Sequence, residues 1–207
     1  MKLGYWKLKG RAFPTRCLLH HAGIEFEDVI YTSDNKADWF GKLKPELAKS
    51  AKPVSIPSIP YIIDNDTHIF QSMACLQYAA RKAGYVATTE QGKQVEDILN
   101  GVFTEYFDGL GKARFGSNKE EDTKAWVEKT LNNLNGIADI LKNSSGAYLT
   151  GEKISWIDFY LFQIVHFLEF VGGKVENEII CAHKAKICGN ERLAAYLESV
   201  KDVPAMP

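Results

Sequence analysis

The chain has 207 residues, 45% of them hydrophobic and 25% charged, with a formal net charge of −1 at pH 7. That composition fits a soluble globular protein of one large or two small domains. A charge balance this close to neutral gives no reason to expect nucleic acid or an anionic membrane as partner. The first nine residues alternate charged and apolar side chains and lack the apolar run of a signal peptide. The most apolar stretch, 156–173, carries Asp158, Gln163, His166 and Glu169, which suits a buried helix rather than a membrane span. Cys17, Cys75, Cys181 and Cys188 form no Cys-x-x-Cys pair, and the five histidines show no ligand spacing, so no metal site is expected. Reduced, mostly buried cysteines in a cytoplasmic protein are the expectation.

In chain order, residues 2–8 alternate well enough for a strand. Gly10 breaks it, and Pro14 suits the first turn of a helix over 13–21. A second strand is expected over 26–31 and a short helix over 37–43, with 48–55 as an exposed polar loop. Pro60 fixes its own φ and leads 61–63 into a strand. Asp64-Asn65-Asp66 has hairpin-turn chemistry, and 68–70 forms the returning strand. A helix follows over 72–83. There Ser72 is open to two readings, an ordinary helix cap or a collector of an anion at the helix start.

Beyond residue 89 the pattern is helical. Residues 94–110 and 124–141 carry apolar side chains at three- and four-residue spacing. Ser155 and Asp158 match a capping box, with Ile154 and Phe159 placed as its staple, at the start of an apolar helix reaching about 170. A last helix is expected over 191–200. The boundaries that follow are an α/β domain over 1–84 and an all-helical domain over 89–207, joined by a linker near 85–90.

Several short motifs now line up. Gly4-Tyr5-Trp6, Gly10-Arg11-Ala12 with Arg16, Ile59-Pro60-Tyr61, Gln71-Ser72 with Tyr78, and Gly151 with Ser155 and Asp158 together resemble the cytosolic glutathione transferases of the mu and sigma classes. The resemblance covers nearly the whole chain. It implies a thioredoxin-like N-terminal domain of order βαβαββα followed by an all-α domain. It also implies a homodimer that conjugates the glutathione thiolate to small hydrophobic electrophiles, with glutathione as co-substrate and no metal.

By that resemblance, Tyr5 donates a hydrogen bond to the glutathione sulfur and favours its thiolate; a strand tyrosine at a domain edge is the plain alternative. Arg11 stands where sigma enzymes carry an arginine near the sulfur, and a cation there would lower a thiol pKa. Arg16 reads as a structural ion-pair partner. Gln71 and Ser72 resemble the pair that holds the γ-glutamyl end. Ile59 offers its backbone to the cysteinyl backbone beside an Ile59-Pro60 bond expected to be cis, with Trp6, Ser58 and Pro60 lining the same edge. Trp39 and one of Lys42 or Lys44 resemble the residues that meet the glycine carboxylate. Glu105 falls where mu enzymes place an acid contacting glutathione on the partner subunit; an exposed helix glutamate is the equal alternative.

Three departures bear on function. The 32–38 loop is short, which leans towards sigma. Phe115 falls near a second tyrosine of mu enzymes that assists addition chemistry. Ile56 replaces the aromatic key that mu subunits insert into their partner. Leu8, Gly109, Lys112 and Phe115 are candidates for the electrophile pocket. Two alternatives stay open: a glutathione-dependent isomerase of the sigma, prostaglandin-synthase type, and a transferase-like structural protein whose site is weak.

Overall fold

In a computed structural model that describes residues 1–206, the alternating start of the chain forms strand β1, Lys2–Trp6. After it come a 3-10 turn at Gly10–Ala12, helix α1 at Phe13–Ala22 and strand β2 at Glu27–Tyr31. A π-helical stretch, Asp38–Leu43, runs straight into α2, Lys44–Ser50. Strands β3, Tyr61–Asp64, and β4, Thr67–Phe70, make the expected hairpin and lead to α3, Ser72–Ala83. The remaining helices are α4, Glu90–Phe115; α5, Lys119–Asn143; α6, Trp156–Phe170; α7, Glu178–Cys188; and α8, Glu191–Ser199. Residues 85–190 form one compact unit, and Met1–Gly84 together with the segment from Glu191 onward forms the other. None of the described helices is long and apolar enough to cross a membrane.

The first unit is thioredoxin-like, built on a mixed sheet of order β2-β1-β3-β4. β1 runs parallel to β2, with Tyr5 opposite Ile30, and antiparallel to β3, with Gly4 opposite Tyr61. Period-two alternation then divides the side chains between two layers. Leu3 and Ile62 are buried in the sheet, and Leu18, Leu19, Cys75 and Leu76 are buried on α1 and α3, which pack together. A separate cluster gathers Tyr31, Trp39, Leu47, Ala51, Tyr61 and Phe70. Gly4 is what lets Tyr61 in: a Cβ on Gly4 would lie 2.1 Å from the Tyr61 Cζ. Trp39 stacks on that ring at 5.3 Å between centroids.

Several local expectations shift. β1 stops at Trp6 because the chain turns there, the Leu8 N–H donating to the Trp6 carbonyl at 2.7 Å. The segment expected as loop from residue 48 stays helical to Ser50, with Leu47 and Ala51 buried in the aromatic cluster. Leu47 is the apolar anchor that polar neighbours hide from a pattern search. α7 was not anticipated; the Asn177 carboxamide caps it, accepting from the amides of Ile179 and Ile180. α8, expected with the helical domain, instead packs on α1, its Tyr196 ring stacked 4.2 Å from that of His20.

The second unit is all-helical and centred on α6. Of its fifteen residues, those from Trp156 to Val165 are all buried, as are Phe167 and Leu168. Burial on all sides explains why its sequence lacks a polar face. The Asp158 carboxylate accepts from the Ser155 amide at 2.8 Å and the Leu149 amide at 3.0 Å. It also meets His183 Nε2 at 2.8 Å, so one fully buried acid ties α6 to the loop before it and to α7. On α4, Thr89 caps the Gly92 amide at 3.0 Å.

Candidate active site around Tyr5

Tyr5 is in the interior strand β1 and is 7% exposed. Its hydroxyl accepts the backbone N–H of Arg11 at 3.1 Å, across the 3-10 turn. Gly10 makes that turn with φ +42°, and a Cβ there would lie 2.7 Å from the Tyr5 hydroxyl. The close approach therefore requires glycine on two counts, backbone conformation and space. Because the amide is the donor, the Tyr5 hydroxyl keeps its own proton to donate elsewhere. Burial pushes the phenol pKa above its ordinary value; the Arg11 amide and the Arg11 and Arg16 charges pull it back only in part. The group is a neutral hydrogen-bond donor at physiological pH.

Arg16 lies beside it, 4% exposed, with its guanidinium carbon 5.8 Å from the Tyr5 ring centroid. Nε and Nη2 grip the Asp28 carboxylate at 2.9–3.2 Å, and Nη1 donates to the Leu8 carbonyl at 2.9 Å. The structural ion pair read from the sequence is therefore present. The Arg11 side chain, by contrast, is exposed.

A second group of expected residues gathers at the β3–β4 hairpin. The Ile59-Pro60 peptide is cis, Ile59 is partly exposed and Pro60 is buried. The Gln71 amide donates to Ser58 Oγ at 3.3 Å, which brings these two predicted residues together. Gln71, not Ser72, occupies the N-cap of α3, with φ 74° and ψ 133° and no side chain capping the helix. A non-glycine residue held at positive φ stores strain of about 1–3 kcal/mol, commonly at ligand sites. Ser72 is the first helical residue, where the first-turn amides point outward without an intrahelical acceptor. The plain capping reading of Ser72 is thereby displaced.

Trp39 is 2% exposed and stacked in the aromatic cluster. Lys42 and Lys44 flank it on the outside; Lys42 pairs with Asp38 at 2.6 Å, and Lys44 sits 5.9 Å from the Phe40 ring centroid. Trp6 is half-buried, 6.0 Å from Phe40. Glu105 is exposed on α4 in the second unit, and Phe115 ends that helix 62% exposed. Ile56 and Val54 stand out from the loop before β3, 68% and 54% exposed. Sequence reasoning missed the strain at Gln71 and the tie of Asp64 to Tyr78, at 2.8 Å, and to Lys82. The Asp64 cluster left a faint signal, one acid in a turn with a tyrosine and a lysine four residues apart on the following helix.

The family model for the glutathione S-transferase N-terminal domain matches residues 1–81, and that for the glutathione S-transferase C-terminal domain matches residues 96–200. The chain is similar to the "Glutathione S-transferase class-mu 26 kDa isozyme 51" of Fasciola hepatica, 27% identical over 202 residues, covering 97% of this chain and 89% of that one. It is 32% identical over 163 residues to the "Glutathione S-transferase class-mu 26 kDa isozyme" of Schistosoma mansoni, covering 78% of each. Among solved structures it resembles the glutathione S-transferase Blo t 8, with a TM-score of 0.86 at 20% identity, covering 100% of this chain and 97% of that one.

Proposed function

The chain belongs to the glutathione S-transferase family, and we propose that Tyr5 is the residue through which it activates the glutathione sulfur. Glutathione S-transferase activity joins that sulfur to an electrophile, and the thiolate is the nucleophile. What carries the reading is the Tyr5 hydroxyl itself. It is buried, fixed by the Arg11 amide at 3.1 Å, and left with one proton to give. A donor aimed at sulfur favours the thiolate over the thiol. Lowering a thiol pKa by about two units takes about 2.7 kcal/mol, within reach of one or two charge-assisted hydrogen bonds. A phenol whose pKa is raised by burial does not ionise in competition with the thiol.

The rest of the cradle is assigned by the same reading. Gln71 and Ser72, with the uncapped amides of α3, hold the γ-glutamyl carboxylate. Ser58, Ile59, Pro60 and Trp6 line the peptide edge, Ile59 offering its backbone groups. Trp39 and one of Lys42 or Lys44 meet the glycine carboxylate. The Arg11 charge adds to thiolate stabilisation, and Glu105 reaches the glutathione of a partner subunit in a homodimer. The class is mu/sigma-like, the electrophile is hydrophobic and the protein is cytoplasmic; the mu-class names of its relatives support the first of these.

The test is Tyr5→Phe, assayed with glutathione and 1-chloro-2,4-dinitrobenzene. Loss of about 2.7 kcal/mol corresponds to about a hundredfold fall in kcat/KM at neutral pH, with a matching rise in the pKa of the bound thiol. An unchanged rate and thiol pKa would remove Tyr5 from the mechanism.

A further inference from the structure

Three consecutive backbone amides follow strand β1 into the 3-10 turn, and each has a specific acceptor. The Lys9 N–H donates to the Pro204 carbonyl at 2.9 Å, and the Gly10 N–H donates to the Ala205 carbonyl at 2.9 Å. The third, from Arg11, donates to the Tyr5 hydroxyl. Two of the three acceptors thus come from a segment about two hundred residues away in sequence. That segment leaves α8 through a turn at Val203, whose amide donates to the Val200 carbonyl at 3.0 Å. It then lies down on the turn: Ala205 is fully closed off, and Met206 is 7% exposed.

We propose that Pro204–Met206 is a positioning strap for Tyr5, holding in place the turn whose Arg11 amide orients the Tyr5 hydroxyl. The proposal rests on the reading of Tyr5 as the thiol activator. Its physical basis is the steep dependence of a hydrogen bond on distance and angle. The Arg11 amide reaches Tyr5 only while Gly10 keeps a positive φ and stays pressed against the phenol. Within the turn, the Phe13 N–H donates to the Gly10 carbonyl, which closes the turn but does not aim the Arg11 amide. No side chain caps the 3-10 turn, and Gly10 is the residue with the widest choice of backbone conformations. Tail carbonyls on the two preceding amides restrict the turn to the one shape that feeds Arg11 to Tyr5. Without them, the Lys9 and Gly10 amides must find water, and the turn opens to admit it. An accepted hydrogen bond also polarises the phenol and strengthens its donation to sulfur, so the strap acts on chemistry through orientation.

The test compares the full chain with a variant lacking residues 204–207 and with Ala205→Val, which overfills a closed site without removing the strap. The readouts are the pKa of bound glutathione, from thiolate absorbance, and the pH profile of kcat/KM. In each folded variant the expected result is a higher bound-thiol pKa and a fall in kcat/KM at neutral pH of about two- to tenfold, the span of one net hydrogen bond, with little change in KM for glutathione. Amide exchange in the unmodified protein supplies a measurement that needs no variant: Lys9 and Gly10 must be protected together. Rapid exchange at either amide, or a wild-type thiol pKa in either variant, overturns the strap. Tyr5→Phe separates the two layers. A shift there without one in the strap variants removes the strap alone, whereas no shift there removes the Tyr5 reading and the strap with it.

Discussion

Tyr31 and Tyr61 face one another inside the aromatic cluster, hydroxyl to hydroxyl at 2.9 Å, with 4% and 1% of their surfaces exposed. Burial and the neighbouring phenol push the Tyr61 pKa far upward, and the two hydroxyls share one bond. Tyr61→Phe removes half of the pair without changing ring volume, and strands the Tyr31 hydroxyl where water does not reach. Such an orphaned group costs about 1–3 kcal/mol. For a chain of this length, about 2 kcal/mol lowers Tm by about 4–8 °C. Tyr31→Phe alone falls in the same range. The double variant removes both polar groups, and two phenylalanines of matching shape leave nothing unsatisfied, so it returns close to wild type. The expected coupling is about 4 kcal/mol, the sum of the two single losses, in the sense that the second substitution repairs the first. Thermal unfolding of the four proteins measures it. Strictly additive losses would show that the two hydroxyls do not act as a pair and would refute the argument. Because Trp39 and Gly4 both shape themselves to the Tyr61 ring, which every variant keeps, catalytic activity is expected to hold across the cycle.

Asp158→Ala leaves the amides of Ser155 and Leu149 and the ring of His183 without their buried acceptor, a loss of about 3–5 kcal/mol measurable by urea unfolding. At Gln71, where φ is 74°, the N-cap preference for glycine over alanine is reinforced: Gln71→Gly is more thermally stable than Gln71→Ala by about 1 kcal/mol, and both raise KM for glutathione about tenfold if the carboxamide holds the γ-glutamyl end. Hydrogen bonds from Lys82 and Tyr78, in that order, hold the Asp64 pKa below the ordinary carboxylate value. Its contribution is therefore fully present above about pH 4 and drains away as the pH falls through the lowered folded value, so wild type and Asp64→Asn converge in Tm only on the acid side.

The strands, the hairpin and α3 were legible because their signals are local. Pro60, the Asp64-Asn65-Asp66 turn and the alternation of 61–63 each act within a few residues, and the helix over 72–83 has the bounds expected of it. Tyr5 and Gln71 were named as site candidates by the family resemblance, and Ser72 also by its place at a helix start. What stayed hidden depends on contacts far apart in sequence. Trp39 looks like an exposed aromatic on a short polar helix until Tyr61 supplies the ring it stacks on. α8 has a clear amphipathic pattern, but no pattern says that its Tyr196 belongs against His20. α7 went unseen because its apolar residues do not gather on one face and its start depends on the Asn177 cap. Strain at Gln71 is invisible by nature, since glutamine carries no preference for positive φ.

The Tyr5 hydroxyl has neighbours of two kinds, and they constrain the sequence differently. From Arg11 it takes a backbone amide, so orientation depends on the path of the turn and not on the identity of residue 11. From Arg16 it takes a buried charge whose place is set by Asp28 and the Leu8 carbonyl, and there only a guanidinium reaches both acceptors at once. The orientation of the Tyr5 hydroxyl therefore does not depend on the exposed side chain of residue 11. That separation lets the side chain at residue 11 differ without rebuilding the turn. It also places the burden of precision on Gly10, which must keep both its conformation and its lack of a side chain for either residue to serve.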